Sequence, residues 1–162
     1  MREIDLGQVG DVDKVNTSLI ELLLQNDFIP VITCLASDAE GNGYNINGDM
    51  FAGHIAGTLA VSQYIILTDV DGLLRDKDDP DTLIREVDIS EIEQMITQNI
   101  IQHGMLPKME SSKIALSKGA ELTRIINGIF PEQILEILGD KPVGTLIKNQ
   151  IKHGQSNDTA IK

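Results

Sequence analysis

The residues best equipped for chemistry stand in Tyr44-Asn45-Ile46-Asn47-Gly48-Asp49, which runs straight into a small-residue stretch, Met50 to Ala60. Amides and a carboxylate at a strand-to-helix turn sit where the first helical N–H groups have no partners inside the helix. Such a turn can hold an anion and orient a carboxylate or phosphate ligand; the plainer alternative is an Asn/Asp helix cap. Gly104-Met105-Leu106-Pro107-Lys108 places a lysine at the start of another helix. Fixed beside a rigid proline, Lys108 could meet the charge that spreads over a phosphoryl group in flight, although most lysines are solvated surface charges. Asp49 could hold that lysine by an ion pair or help to hold Mg²⁺. Asn45 offers both a donor and an acceptor, which suits a carboxylate or amide substrate. The two turns are expected to face each other across a site for phosphoryl transfer.

Asp69-Val70-Asp71-Gly72 is a third polar turn, placed at the end of an apolar run. Carboxylates suit ribose hydroxyls and glycine permits close backbone approach to a nucleotide; an ordinary β-turn with Asp and Gly is the alternative. His54, His103 and His153 are isolated, with no metal-ligand spacing, so no protein metal site is expected. A Gly-x-x-x-x-Gly-Lys-[Ser/Thr] phosphate loop and a dinucleotide fingerprint are both absent.

Strands and helices must position these turns. Val15 to Asn26 carries a wide apolar stripe and predicts a helix. Phe28 to Leu35 is β-branched and continuous, as expected of a strand buried on both faces. Ser37 to Gly43 reads as a hairpin turn into a Tyr44 strand, and Met50 to Ala60 as a helix that can lie close on a neighbour. Tyr64–Thr68, Leu83–Val87, Leu122–Ile126 and Gly144–Ile147 predict further strands; helices are expected from Ile89, from Lys108 to a Gly119 cap, and from Pro131 to Leu138. Strands alternating with helices imply an α/β fold with a mainly parallel sheet covered on both faces, with ligands outside the strands' carboxyl ends.

With 162 residues, 41% of them hydrophobic, the chain fits one domain, residues 1–148, followed by a polar tail over 149–162. The net charge of −12 and the lack of a basic stripe argue against nucleic acid as a partner. No apolar run reaches the ~18 residues of a membrane span, and no basic-then-apolar leader opens the sequence, so a cytoplasmic protein without a membrane partner is expected. The lone Cys34 lies in an apolar run and is expected to be buried and inert.

Asp5-Leu-Gly-Gln-Val-Gly10, Tyr44-Asn-Ile-Asn-Gly-Asp49, Leu67-Thr-Asp-Val-Asp-Gly72-Leu, Gly104-Met-Leu-Pro-Lys108 and Gly144-Thr-Leu-Ile147 follow one another in an order and spacing that resembles the N-acetylglutamate kinase family of the amino-acid kinase superfamily. The resemblance covers residues 3–148. It implies a three-layer αβα sandwich of the carbamate-kinase kind, of which this chain would be the second, nucleotide-binding half. It implies ATP-dependent phosphorylation of the side-chain carboxylate of N-acetyl-L-glutamate in arginine biosynthesis, with homo-oligomers in the full-length family. Asn45 would contact the amino-acid substrate, Asp49 would organise the catalytic lysines, and Lys108 would stabilise the transferring phosphoryl group. Asp69, Val70, Asp71, Gly72, Leu73 and Leu74, with Ile100, Ile101 and Gln102, would line the ATP site, and Mg²⁺ would be carried largely by the phosphates. A second catalytic lysine, the glycine-rich phosphate turns and most of the substrate pocket belong to the family's first half, so a missing amino-terminal half is an expected partner. A sister kinase for N-acetyl-aminoadipate or a carrier-bound analogue, and a non-catalytic nucleotide-binding module, are the alternatives.

Overall fold

The computed structural model describes residues 7–139 and 141–150. The Asp5-Leu6 part of the first motif, His153 and most of the expected tail therefore lie outside the described residues. The elements in chain order are β1 (Val9–Gly10), α1 (Ser18–Gln25), β2 (Leu35–Ser37), β3 (Gly43–Ile46), α2 (Gly48–Thr58), β4 (Gln63–Thr68), a 3₁₀ turn at Pro80–Thr82, β5 (Glu86–Asp88), α3 (Ile89–Thr97), α4 (Met105–Lys118), β6 (Leu122–Asn127), α5 (Glu132–Leu138) and β7 (Thr145–Lys148).

The strands form two sheets. One has the order β1-β3-β2 and the other β4-β6-β7-β5. In the larger sheet β4 runs parallel to β6 in a register from Gln63↔Leu122 to Thr68↔Asn127, and β5 runs parallel to β7. β6 and β7 are antiparallel, so this sheet is mixed. After β6 the chain passes through the seven-residue α5 and re-enters the sheet beside the carboxyl end of β6, where Ile125 stands opposite Thr145.

The core lies between the larger sheet and the helices. Ile92, Met109, Ile125, Ile126, Ile137 and Ile147 are its largest fully buried apolar side chains. α3 begins with a capping box: Asp88 accepts from the Glu91 N–H at 2.9 Å while Glu91 accepts from the Asp88 N–H at 3.0 Å. α4 begins at Met105, earlier than expected, because Gly104 takes the capping position and Pro107 falls within the first turn, where its missing N–H has no helical acceptor. It ends at Gly119, whose φ of 129° places it in a left-handed conformation. β5 begins later than expected, at Glu86, and Leu83 forms only an isolated bridge to Leu74.

The first third of the chain departs most from expectation. Residues 28–34 form no strand, and the strand that follows, β2, covers only Leu35–Ser37. Phe28, Ile29 and Val31 are exposed, as are Leu19, Leu22 and Leu24 on the stripe of α1, and Cys34 is only partly buried. A strand buried on both faces needs ladder partners and an apolar layer above and below; the described residues pair the Cys34 carbonyl with the Ile46 N–H at 3.0 Å but leave Ile29 and Val31 uncovered. The expected hairpin does form, with Leu35↔Asn45 and Ser37↔Gly43 in antiparallel register.

Candidate functional site

Asp49 is the second residue of α2 and Lys108 lies in the first turn of α4. Across 59 positions of sequence, Lys108 Nζ meets Asp49 Oδ2 at 3.1 Å and Oδ1 at 3.3 Å. Both side chains are largely shielded, with 19% of the lysine and 24% of the aspartate exposed. A cation in the first turn of a helix opposes the helix dipole, so the carboxylate offsets an arrangement that would otherwise be unfavourable.

Two glycines bring the helices close enough for this pair. A Cβ on Gly53 would stand 2.5 Å from the Ser111 carbonyl oxygen, and one on Gly57 would stand 2.6 Å from Lys118 Cβ. α2 can therefore lie almost backbone to backbone on α4. The Ser111 and Ser112 hydroxyls, both fully buried, donate to the Lys108 carbonyl at 2.9 and 2.8 Å. From β4 the Tyr64 hydroxyl reaches the Asp49 carbonyl at 3.3 Å and Ser111 Oγ at 3.4 Å. Burial pushes the Tyr64 phenol above its usual range, which keeps it a neutral donor. Strand, acid-bearing helix and lysine-bearing helix thus meet at one buried point.

The turn at the start of α2 forms the Asn cap offered by its sequence. Asn47 is a cap, accepting from the Met50 N–H at 3.2 Å. Asn45 is exposed on β3, its backbone N–H donating to the Gln8 carbonyl at 2.8 Å; its side chain forms no hydrogen bond with Lys108 or Asp49. At α4, by contrast, the Met105 and Leu106 N–H groups already donate to the Gln102 and His103 carbonyls, both at 3.1 Å. What that turn presents is the lysine side chain.

The Asp69–Leu74 turn leaves the carboxyl end of β4 and faces residues 100–102 across a cleft of 530 Å³, within the range of roughly 300–1,000 Å³ common for small-molecule sites. Val70, Gly72, Leu73 and Leu74 form one wall, and Ile100, Ile101 and Gln102 the other. Asp69 and Asp71 do not line it. Asp69 accepts from the Thr68 hydroxyl at 3.2 Å, and Asp71 Oδ1 accepts from Asn127 Nδ2 at 2.8 Å. Gln102 is drawn back to the Asn99 carbonyl. Gly72, at φ 146°, has no room for a side chain, since a Cβ would lie 2.5 Å from Thr145 Oγ1.

Of three residues that shape this site, Asn127 and Tyr64 do not stand out in the sequence, and Thr145 does so only within Gly144-Thr-Leu-Ile147, where nothing marks its role. Thr145 Oγ1, fully buried, accepts from the Leu73 N–H at 2.8 Å and donates to the Ile84 carbonyl at 2.6 Å. Asn127 holds Asp71 and also accepts from the Ile129 N–H at 3.0 Å. Tyr64 does the bridging described above. Asn127-Gly128 at a strand end was the visible signal, since it has the same turn chemistry as Asp71-Gly72.

A profile of the amino acid kinase family matches residues 1–127. The acetylglutamate kinase of Methanococcus aeolicus is 44% identical over 146 residues, which cover 90% of this chain and 50% of that one. The chain spans about half the length of the curated relatives it matches. N-acetylglutamate synthase from Neisseria gonorrhoeae, complexed with coenzyme A and L-arginine, superposes with a TM-score of 0.80 at 22% identity, covering 91% of this chain and 34% of that one. Carbamate kinase from Giardia lamblia bound to AMP-PNP gives 0.68 at 22% identity, covering 85% and 45%. These two likenesses concern the fold, an α/β three-layer sandwich of the carbamate-kinase kind.

Proposed function

The chain belongs to the amino acid kinase family, and on that premise we propose that residues 1–148 are the nucleotide-binding half of a cytoplasmic acetylglutamate kinase, with 149–162 a polar tail. The reaction is ATP-dependent phosphorylation of the side-chain carboxylate of N-acetyl-L-glutamate, a step of arginine biosynthesis. A carboxylate oxygen of the substrate bonds to the γ-phosphorus, the bond from that phosphorus to the β,γ-bridging oxygen breaks, and ADP leaves with the electron pair. The product is an acyl phosphate.

The observation that carries this reading is the shielded Lys108–Asp49 pair at the adjoining starts of two close-packed helices. Met105, about one turn before Lys108 on the same helix, lines the cleft between the Asp69–Leu74 turn and residues 100–102. A nucleotide in that cleft would direct its phosphates toward the lysine. Its volume and the apolar walls of Leu73, Leu74 and Ile100 suit a base and sugar. Lys108 stabilises the charge on the transferring group, Asp49 fixes the ammonium in place, and Asn45 receives the amino-acid substrate.

Mg²⁺ bound to the phosphates would supply further charge neutralisation. Both Asp49 oxygens are engaged by Lys108 and Asp71 by Asn127. That donor set fits an ion held mainly by the nucleotide and not by a dedicated protein cage.

Calorimetric titration of the chain with MgATP tests the nucleotide part. Binding is expected, with almost no turnover by the chain alone; no heat at millimolar nucleotide would overturn the reading. With the other half of the fold supplied, Lys108→Ala is expected to lower kcat by ~10²-fold or more with a smaller change in KM. A change confined to KM would make Lys108 a ground-state binding residue.

A further inference from the structure

Four non-glycine residues among those described take a left-handed backbone: Asp27, Ala60, Asn99 and His103. The first three stand just past the ends of α1, α2 and α3, where a left-handed residue commonly closes a helix. His103, at φ 46°, closes none; it precedes Gly104 and the start of α4. Its turn needs the backbone conformation, for the Gln102 and His103 carbonyls accept from the Met105 and Leu106 N–H groups at 3.1 Å. The turn does not need a side chain there. Glycine takes this conformation without a Cβ penalty, whereas an L residue is strained by it.

The imidazole stands where a ligand can use it. It lines the cleft between the Asp69–Leu74 turn and residues 100–102, it is exposed, and it has no hydrogen-bond or ion-pair partner among the described residues. Arg75, Asp76 and Lys77 line the cleft with it. Asp78 holds Lys77 at 2.9 Å, and Asp76 accepts from the Asp78 N–H at 3.0 Å. The Arg75 guanidinium, by contrast, has no partner among the described residues. His103 and Arg75, one from each wall, are thus left to donate to a ligand, and both suit an anion.

We propose that His103 is a nucleotide-binding residue whose ring N–H donates to a phosphate of ATP other than the one transferred. The inference rests on the reading of this cleft as the nucleotide site. The apolar walls take the base and sugar, and Lys108 meets the transferring phosphoryl group further along the same segment. His103 lies between the two, beside the intervening phosphates. An imidazole carries one N–H donor when neutral and two when protonated, so the contact forms in either state. The ligand contact accounts for a strained side chain in a turn that glycine would serve better.

The test compares the full chain with its His103→Gly variant. In calorimetry MgATP and MgADP should each bind the variant ~10-fold more weakly, the loss of one hydrogen bond to a charged group. Adenosine affinity, read by displacement of a fluorescent ADP analogue, should stay within ~2-fold. The urea midpoint of the variant should rise, because the backbone strain is relieved. In the parent labelled with ¹⁵N-histidine, the His103 ring signals should shift on adding MgATP and stay in place on adding adenosine. MgATP binding by the variant within ~2-fold of the parent would overturn the proposal. An equal loss for adenosine would do so by placing the ring at the base or sugar, and a lowered urea midpoint by making the side chain structural. A parent that binds no MgATP overturns the nucleotide reading as well, whereas parent and variant that bind alike remove His103 alone.

Discussion

At the scale of single residues, Thr145 is the group on which the Asp69–Leu74 turn depends. Its hydroxyl serves the Leu73 N–H and the Ile84 carbonyl at once, from a fully buried position. Thr145→Val keeps the shape and removes both bonds, leaving a buried N–H unsatisfied at a cost of ~1–3 kcal/mol. Urea unfolding should show that loss, and MgATP should bind more weakly because the Gly72–Leu73 backbone is no longer fixed. Thr145→Ser retains the hydroxyl and should retain affinity; a valine variant that binds as tightly as the parent would show that the turn does not need the bond. His54 sets a pH dependence. Burial, with Lys118 nearby, holds its imidazole below the ordinary value of 6.5, and its Nδ1 is buried without a hydrogen-bond partner among the described residues. Above that value both the folded and unfolded chains are neutral at this position. As pH falls below it, the unfolded chain takes up a proton that the folded chain resists, so stability declines in that window. Melting temperatures measured between about pH 7.5 and 5.5 should fall more for the parent than for His54→Gln; parallel curves would remove His54 as the cause.

At the scale of elements, the α2–α4 contact decides whether Lys108 and Asp49 meet. Replacing a mid-helix glycine by alanine usually gains ~1 kcal/mol of helix propensity. At Gly53 the new methyl would stand 2.5 Å from a backbone oxygen of α4, which cannot swing aside like a flexible side chain. Overpacking of that kind costs ~1–3 kcal/mol, so the clash outweighs the propensity. Gly53→Ala is expected to lower stability in denaturant and to separate the ion pair, visible as a changed Lys108 ammonium signal in NMR; a stabilised variant with an intact pair would show that the helices have slack. The pair itself is legible in the sequence, because Asp49 and Lys108 each sit in a turn of distinctive composition. α2, β4, α4 and β6 are legible too, since each finds its partners within the described chain. The roles of Thr145 and Asn127 are not, because Gly144 and Gly128 beside them mark only turns, while the bonds themselves cross 72 and 56 positions. Phe28–Leu35 misleads for a different reason. Its pattern reports a strand, but a pattern of side chains carries no information on whether ladder partners belong to the same chain.

For the molecule as a whole, apolar burial is divided unequally between the two sheets. The larger sheet with α3 and α4 holds nearly all of the core, whereas Ile46 is the one buried large apolar residue of β1–β3 and α1 has none among the described residues. Free energies of local opening follow buried apolar contact and protected backbone bonds. The two parts should therefore exchange amide protons on different scales. Amides of β4 and β6, in a six-pair parallel register, should open only with global unfolding. Those of β2 and β3, held by three antiparallel pairs, should exchange through local opening at rates that barely respond to low denaturant. Native-state exchange in a urea series measures both. Merging of the two sets of slopes at low urea would mean that the first third of the chain is as firmly held as the rest, and that the exposed apolar run is no weakness of the isolated chain.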